Sequence, residues 1–152
     1  MKIKMLVMDV DGTLTDGKIY MGPNGEAMKS FNVKDGYAIS HLKESEIIPV
    51  IITGRVSKIV ELRAKELGIS ELYQGISDKL EVLKSIAIRL NCTRDEIAYI
   101  GDDLNDIECI RYCGFSACPN DAIEEVKREV DYICKNNGGN GAAREFIDKK
   151  LL

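Results

Sequence analysis

The sequence predicts an α/β fold in which a parallel β-sheet is covered by helices on both faces. Short, almost continuously apolar segments such as residues 3–8 are typical of strands that are buried on both sides. These segments alternate with amphipathic segments of helical period, which is the pattern of a layered parallel sheet. No linker, repeat or low-complexity stretch interrupts the 152 residues. We therefore expect one domain, residues 1–152.

The N-terminal half carries the first strands and a hairpin signal. We predict strands at 3–8, 47–52 and 72–73 and helices at 35–44 and 57–67, the second helix ending before Gly68. The segment Gly22-Pro23-Asn24-Gly25 lies between residues 18–20 and 26–31, and this composition predicts a β-hairpin inserted after the first strand.

The C-terminal half continues the alternation. Asp78 is a suitable N-cap for a helix over residues 78–90. The remaining predicted elements are strands at 97–100, 114–118 and 132–133 and helices at 103–112, 122–127 and 142–152. A flexible loop is expected at 136–141, because these residues are only asparagine and glycine.

Composition excludes several classes of function. A net charge of -4 argues against a general nucleic-acid binder, and no apolar run reaches the length of a membrane span. Five cysteines without a CxxC pair and a single histidine give little support for zinc and indicate reduced thiols. We expect a cytoplasmic protein without a nucleic-acid or membrane partner.

Polar residues follow the predicted strands in a regular phase. Asp9 and Asp11 follow the first strand, Thr53 and Arg55 follow another, and Asp102 with its neighbour Asp103 follows a third. The carboxyl ends of parallel strands meet at one edge of a sheet, where ligands bind in such folds. The sequence therefore predicts a site at this edge.

These residue types fit the hydrolysis of a phosphate ester. Asp9 can attack phosphorus as a nucleophile, provided that a divalent cation such as Mg²⁺, held by Asp9 and Asp102, offsets the repulsion between anions. Asp11 can act as general acid and base. Thr53 can donate its hydroxyl and backbone N–H to phosphate oxygens, and Lys79 can neutralise the transferring phosphoryl group.

Four segments resemble, in order, the motifs of the haloacid dehalogenase superfamily. They are Asp9-Val10-Asp11-Gly12-Thr13, Ile52-Thr53-Gly54-Arg55, Lys79, and Gly101-Asp102-Asp103-Leu104-Asn105-Asp106. The resemblance implies a three-layer Rossmann-like fold, a phospho-aspartyl intermediate on Asp9, and Mg²⁺ held by Asp9, the backbone carbonyl of Asp11, and Asp102. It makes Asp103 a supporting acid that holds Lys79 or a metal-bound water. We expect Asp106 at a helix surface.

Further segments along the whole chain look like the 3-deoxy-D-manno-octulosonate 8-phosphate phosphatases, enzymes of lipopolysaccharide biosynthesis. They are Thr15-Asp16-Gly17, residues 31–37, residues 72–75 and residues 138–145. This resemblance implies a capless homotetramer in which the hairpin builds the oligomer and a neighbouring subunit covers the active site. It also implies a small phosphorylated sugar acid as substrate.

Arg55 bears on the choice of sugar acid. A guanidinium can bind a substrate carboxylate bidentately, and the octulosonate enzymes are similar to this chain in having Arg after Thr-Gly. Gly54 and Lys58 are further candidates for substrate binding. Asn140 replaces an arginine that this family usually has in its tail, so a nine-carbon sugar-acid 9-phosphate stays an alternative. Arg144 matches the family and is either a tail-holding or substrate-binding residue or a surface arginine.

Three readings from other classes are less well supported. A phospho-accepting receiver domain also combines acids, Thr and Lys on a parallel sheet, but the Asp-x-Asp spacing and the segment 101–106 fit hydrolysis better. An inactive scaffold would be expected to have lost one of the acids or Lys79. A phosphomutase usually needs a cap, for which the hairpin segment is too short.

Overall fold

The computed structural model describes residues 2–152 and contains two β-sheets. The strands are β1 (Met5–Met8), β2 (Tyr20–Gly22), β3 (Gly25–Met28), β4 (Ile48–Ile52), β5 (Glu71–Tyr73), β6 (Ile97–Ile100), β7 (Phe115–Cys118) and β8 (Tyr132–Ile133). Six of them form one parallel sheet in the order β5-β4-β1-β6-β7-β8, which confirms the predicted fold class.

Helices cover both faces of this sheet. Every side chain of the central strand β1 is apolar, so both of its faces must be buried. Leu6 and Met8 point into one core with residues of α1 (Val33–Ser40), α2 (Lys58–Glu66) and α6 (Ala142–Phe146). Met5 and Val7 point into the other core with residues of α3 (Lys79–Arg89), α4 (Ile107–Tyr112) and α5 (Glu124–Lys127). The side chains alternate between two buried faces, so the domain has three layers.

The strand order places three strand ends side by side. From the central β1, the chain adds β4 and β5 on one side and then β6, β7 and β8 on the other. Met8, the last residue of β1, pairs with Ile51 of β4 and with Ile100 of β6. The residues that follow these three strands therefore converge at the point where the strand order reverses.

The predicted hairpin is present as the separate antiparallel pair β2–β3. Its turn is formed by Pro23 and Asn24, between the paired residues Gly22 and Gly25. Large apolar side chains on it face outward, with Met21 64% and Met28 51% exposed. The hairpin therefore presents apolar side chains at the protein surface.

Several predicted helices have different boundaries in the structure, and for two of them the local arrangement is clear. The first begins at Val33, since the side chain of Asn32 accepts hydrogen bonds from the N–H groups of Lys34 and Asp35, and it ends at Ser40. The helix expected over residues 103–112 is divided into a 3₁₀ turn, Leu104–Asp106, and α4. In the described part of the chain, no helix combines the length and the apolar character that crossing a bilayer would require.

Candidate active site

Asp9 and Asp102 lie together at the carboxyl edge of the sheet, as the sequence predicts. Asp9 directly follows β1 and is 5% exposed, and Asp102 lies beyond the end of β6. Carboxylate oxygens of Asp9, Asp102 and Asp106 all lie within 4.8 Å of one another. Three acidic side chains thus share one small, mostly buried volume.

The acids disturb one another electrostatically. Burial and the nearby Asp106 charge raise the pKa of Asp9, against the opposing effect of Lys79. Burial and the contact with Asp9 also raise the pKa of Asp102. Carboxylate oxygens are the ligands that Mg²⁺ prefers, and a divalent cation would offset the repulsion between these closely spaced carboxylates. Asp9 and Asp102 therefore fit Mg²⁺.

Lys79 provides the positive charge next to the nucleophile candidate. It is the first residue of α3, whose start is capped by the Asp78 carboxylate accepting from the N–H of Glu81. The buried Nζ donates to Asp9 Oδ1 at 2.9 Å and to Asp106 Oδ1 at 2.9 Å. Burial lowers the pKa of Lys79, but the two carboxylates outweigh it and raise that pKa overall. The lysine therefore stays charged.

Asp106 is a fully buried acid, so the expectation of a helix-surface position is wrong. Its side chain is 0% exposed. Oδ1 accepts from Lys79 and from the Tyr99 hydroxyl at 2.5 Å, and Oδ2 accepts from the backbone N–H groups of Asp102 at 2.9 Å and Asp103 at 3.2 Å. With four donors, this carboxylate fixes the loop that carries Asp102 and orients Lys79.

The acid that holds Lys79 is thus Asp106 and not Asp103, which corrects one of the two roles expected for Asp103. Asp103 is exposed, and its Oδ1 caps the following 3₁₀ turn by accepting from the Leu104 N–H at 2.7 Å. Its other expected role, contact with a metal-bound water, stays a prediction.

The loop after β1 approaches Asp102 closely, a feature that the sequence analysis missed. Gly12 has φ +91°, and a Cβ atom built on it would lie 1.9 Å from Asp102 Oδ2. The buried Thr13 hydroxyl donates to Asp102 Oδ1 at 3.3 Å. Only glycine can occupy position 12, because any side chain there would collide with the Asp102 carboxylate, a candidate metal ligand. The glycine of the Asp-Val-Asp-Gly motif was the sequence feature that could have indicated this close approach.

Asp11 is held by a lysine of the hairpin, another contact that sequence reasoning missed. The Asp11 carboxyl is 21% exposed, and Lys29 Nζ donates to its Oδ1 at 2.6 Å. Lys29 directly follows β3, within the predicted hairpin segment. Nothing in the local pattern distinguished it from the other lysines of the chain.

Thr53 is buried at the end of β4, but one part of its expected role is wrong. Its backbone N–H donates to the Tyr73 carbonyl at 2.9 Å, and so it is used in the sheet rather than available to phosphate. Among residues 2–152 no hydrogen bond engages the Thr53 hydroxyl, which is the group left to bind a phosphate oxygen. Gly54, the next residue, is exposed.

Arg55 and Lys58 follow on the same edge. Arg55 is exposed and lies near Glu26. Burial raises the pKa of Glu26, but the Ser57 hydroxyl, Lys29 and, least, the charge of Arg55 lower that pKa overall. Lys58 begins α2, and its Nζ lies 3.6 Å from Glu61 on the helix surface. Substrate contacts of Gly54, Arg55 and Lys58 remain predictions.

The glycine-rich loop at residues 136–141 packs on the loop after β1, whereas the sequence predicts a flexible segment. The Gly139 N–H donates to the Thr13 carbonyl at 3.1 Å. A Cβ atom on Gly138 would lie 1.9 Å from the Gly12 carbonyl oxygen, so the two backbones are in direct contact. Asn140 is exposed on this loop.

Arg144 joins α6 to α1. Its guanidinium bonds to Asp148 at 2.6 Å and to the Lys34 carbonyl at 3.3 Å, and it stacks over Tyr37 at 5.5 Å. These contacts support the interpretation that Arg144 holds the tail in place. A substrate contact remains a prediction.

Comparisons with known proteins identify relatives over nearly the whole chain. The profile of the haloacid dehalogenase-like hydrolases matches residues 58–146. Over 150 residues the chain is 46% identical to the 3-deoxy-D-manno-octulosonate 8-phosphate phosphatase of Yersinia pestis, covering 99% of this chain and 80% of that protein. The crystal structure of the Yersinia pestis enzyme superposes with a TM-score of 0.93, covering 96% of this chain and 79% of that one.

A structure of the Moraxella catarrhalis enzyme contains a magnesium ion, a phosphate ion and the sugar acid. It has a TM-score of 0.91 at 46% identity and covers 94% of this chain and 82% of that one. The similarity therefore extends over nearly the whole chain and over most of each relative.

Proposed function

The chain belongs to the 3-deoxy-D-manno-octulosonate 8-phosphate phosphatase family of the haloacid dehalogenase-like hydrolases, and on this basis we propose that it hydrolyses that sugar-acid phosphate. The products are the free sugar acid and inorganic phosphate. The observation that carries the proposal is the arrangement of Asp9, buried at the end of β1, between the Lys79 ammonium and the Asp102 carboxylate.

In the first step Asp9 acts as the nucleophile. A carboxylate oxygen of Asp9 attacks phosphorus, the bond from phosphorus to the sugar oxygen breaks, and the leaving oxygen takes a proton from Asp11. Lys79 stabilises the negative charge on the phosphoryl oxygens, since its ammonium is already 2.9 Å from Asp9. The Thr53 hydroxyl donates to a phosphoryl oxygen.

In the second step water attacks phosphorus of the phospho-aspartate. Asp11 takes a proton from this water, the acyl-phosphate bond breaks, and Asp9 is regenerated with release of phosphate. Asp11 thus serves first as acid and then as base. Its carboxyl must be held in a fixed orientation and must also be accessible to the attacking water. Asp11 is 21% exposed and held on one oxygen.

Mg²⁺ is the cofactor that fits this site. Asp9, the backbone carbonyl of Asp11, and Asp102 would hold it, and Asp103 would bind a coordinated water. When bound, the ion neutralises the charge of the phosphate and of the acids that surround it. Asp106 is not available as a ligand, because its two oxygens already accept four hydrogen bonds.

Arg55 is our candidate for recognition of the substrate carboxylate, with Gly54, Lys58 and Arg144 as secondary candidates. Arg55 is exposed two residues after Thr53, on the edge where the leaving sugar must lie. The sequence identity with octulosonate 8-phosphate phosphatases supports an eight-carbon sugar acid as the substrate. A nine-carbon sugar-acid 9-phosphate remains the alternative because of Asn140.

We further propose that the chain is one capless domain that works in the cytoplasm as a homotetramer, with a neighbouring subunit covering each site. The inserted segment after β1 forms only a hairpin, whose exposed Met21 and Met28 provide an apolar surface for association.

Phosphate release with and without Mg²⁺ tests the proposed function. The panel contains octulosonate 8-phosphate, a nine-carbon sugar-acid 9-phosphate and a sugar phosphate without a carboxylate. We expect Mg²⁺-dependent turnover with the highest kcat/KM for the eight-carbon acid, and an Arg55→Ala variant that loses this preference. Preference for the nine-carbon acid would refute the assignment of the sugar, and no release from any ester would refute the phosphatase.

A further inference from the structure

A chain of charged contacts connects the hairpin to the acid/base candidate. Lys29 Nζ lies 2.6 Å from Asp11 Oδ1 and 2.9 Å from Glu26 Oε2. Glu26 Oε1 in turn accepts from the Ser57 hydroxyl at 2.5 Å, and Ser57 is the N-cap of α2. Asp11 is thereby tied, through two side chains of the hairpin segment, to the helix that follows Thr53.

The side chain of Lys29 is almost completely buried, with 2% of it exposed, although the residue as a whole is half-buried. Burial lowers the pKa of Lys29, but Asp11 and Glu26 outweigh it and raise that pKa overall. A buried ammonium with two carboxylate partners stays in place, because separating it from either one would break a buried ion pair. Its two carboxylate partners are therefore the routes by which Lys29 can act on the reaction, and of these Asp11 is the one with a proposed role in proton transfer.

We propose that Lys29 is a positioning residue that holds the Asp11 carboxyl in the orientation needed for proton transfer to the leaving oxygen. By occupying Oδ1, Lys29 leaves Oδ2 as the oxygen that carries the proton. This inference rests on the proposed function, in which Asp11 protonates the departing sugar oxygen. A proton transfer of this kind depends steeply on the orientation of the acid.

The test compares two leaving groups. A sugar alkoxide must be protonated as it departs, whereas p-nitrophenolate leaves without a proton. The parameter kcat/KM reports steps through the first phosphoryl transfer, so it isolates the protonation by Asp11 from the later attack of water. We expect Lys29→Met to lower kcat/KM about 10- to 100-fold for octulosonate 8-phosphate and less than about threefold for p-nitrophenyl phosphate.

Three further variants make the comparison specific. Lys29→Arg keeps the charge and should recover part of the lost activity toward the sugar ester. Lys18→Met removes an exposed lysine before β2 and should leave both substrates unchanged. In an Asp11→Asn background, Lys29→Met should cause no further loss toward the sugar ester, because both changes then act on the same proton transfer.

Circular dichroism establishes that each variant is folded. If Lys29→Met does not fold, Glu26→Gln takes its place, since it removes the second carboxylate that anchors Nζ, and it should give a smaller loss with the same selectivity for the sugar ester. An equal loss for both esters, in whichever of these variants folds, overturns the inference while leaving the phosphatase intact. If the wild-type protein hydrolyses neither ester with Mg²⁺, the proposed function fails and this inference fails with it.

Discussion

The buried carboxylate of Asp106 allows a quantitative prediction for Asp106→Asn. An amide has one accepting oxygen, so it cannot replace a carboxylate that accepts from Lys79, Tyr99 and two backbone N–H groups. At least two buried donors lose their acceptor, at about 1–3 kcal/mol each. Breaking a buried ion pair costs a similar total of about 3–5 kcal/mol. We expect Asp106→Asn to lower the free energy of unfolding by about 4 kcal/mol, a large part of the roughly 5–15 kcal/mol of a typical domain.

Urea denaturation followed by circular dichroism measures this loss. Both proteins are kept in EDTA, because a bound metal would stabilise the folded state by mass action. Asp103→Asn is the matched control, since it makes the same change three residues away on an exposed cap. Asn and Asp cap about equally well, so it should cost less than about 0.5 kcal/mol. A loss below about 1 kcal/mol for Asp106→Asn, or equal losses for both variants, would refute the assignment of Asp106 as the residue that organises this loop.

Three further predictions follow from the site and the hairpin. Burial and the Asp106 charge raise the pKa of Asp9 to about 6, and burial and the contact with Asp9 raise that of Asp102 to about 9. Protons therefore compete with Mg²⁺, and the Mg²⁺ affinity measured by calorimetry should rise from about pH 5.5 to about pH 8 with proton release on binding; a pH-independent affinity would contradict this. Gly138→Ala should lower kcat at least about tenfold in the phosphate-release assay, since its Cβ would displace the Gly12 carbonyl; unchanged kcat would show that the loop does not position the site. Met21→Glu should convert the proposed tetramer to smaller species in light scattering, because Met21 is exposed on the hairpin; a wild-type monomer would remove the basis for a subunit that covers the site.

The parts of the fold that sequence could predict are those set by local patterns. The apolar strands and their phase placed Asp9, Thr53 and Asp102 at adjacent strand ends, which the sheet order confirms. Element boundaries were less accurate where a single side chain decides them. Asn32 starts α1 two residues before the predicted start, because it caps the helix.

The missed features depend on contacts between distant segments. Asp106 has the sequence context of a surface acid, and only its approach to Lys79 reveals its role. Lys29 meets Asp11 only because the hairpin folds back over the strand end. The loop at 136–141 has the composition of a flexible segment, yet Gly138 and Gly139 are in close contact with Gly12 and Thr13, while Gly139 and Gly141 also have positive φ. Composition alone cannot distinguish a glycine needed for freedom from one needed for space.

The most direct test of the central claim is to look for the phosphoryl group on Asp9. The wild-type protein is mixed with octulosonate 8-phosphate and Mg²⁺, quenched rapidly in acid, digested and analysed by mass spectrometry. We predict that the peptide containing Asp9 gains the mass of one phosphoryl group, and that Asp9→Asn shows neither this peptide nor turnover. An active wild-type enzyme without this adduct at any quench time, or an Asp9→Asn variant with substantial turnover, would contradict the covalent mechanism.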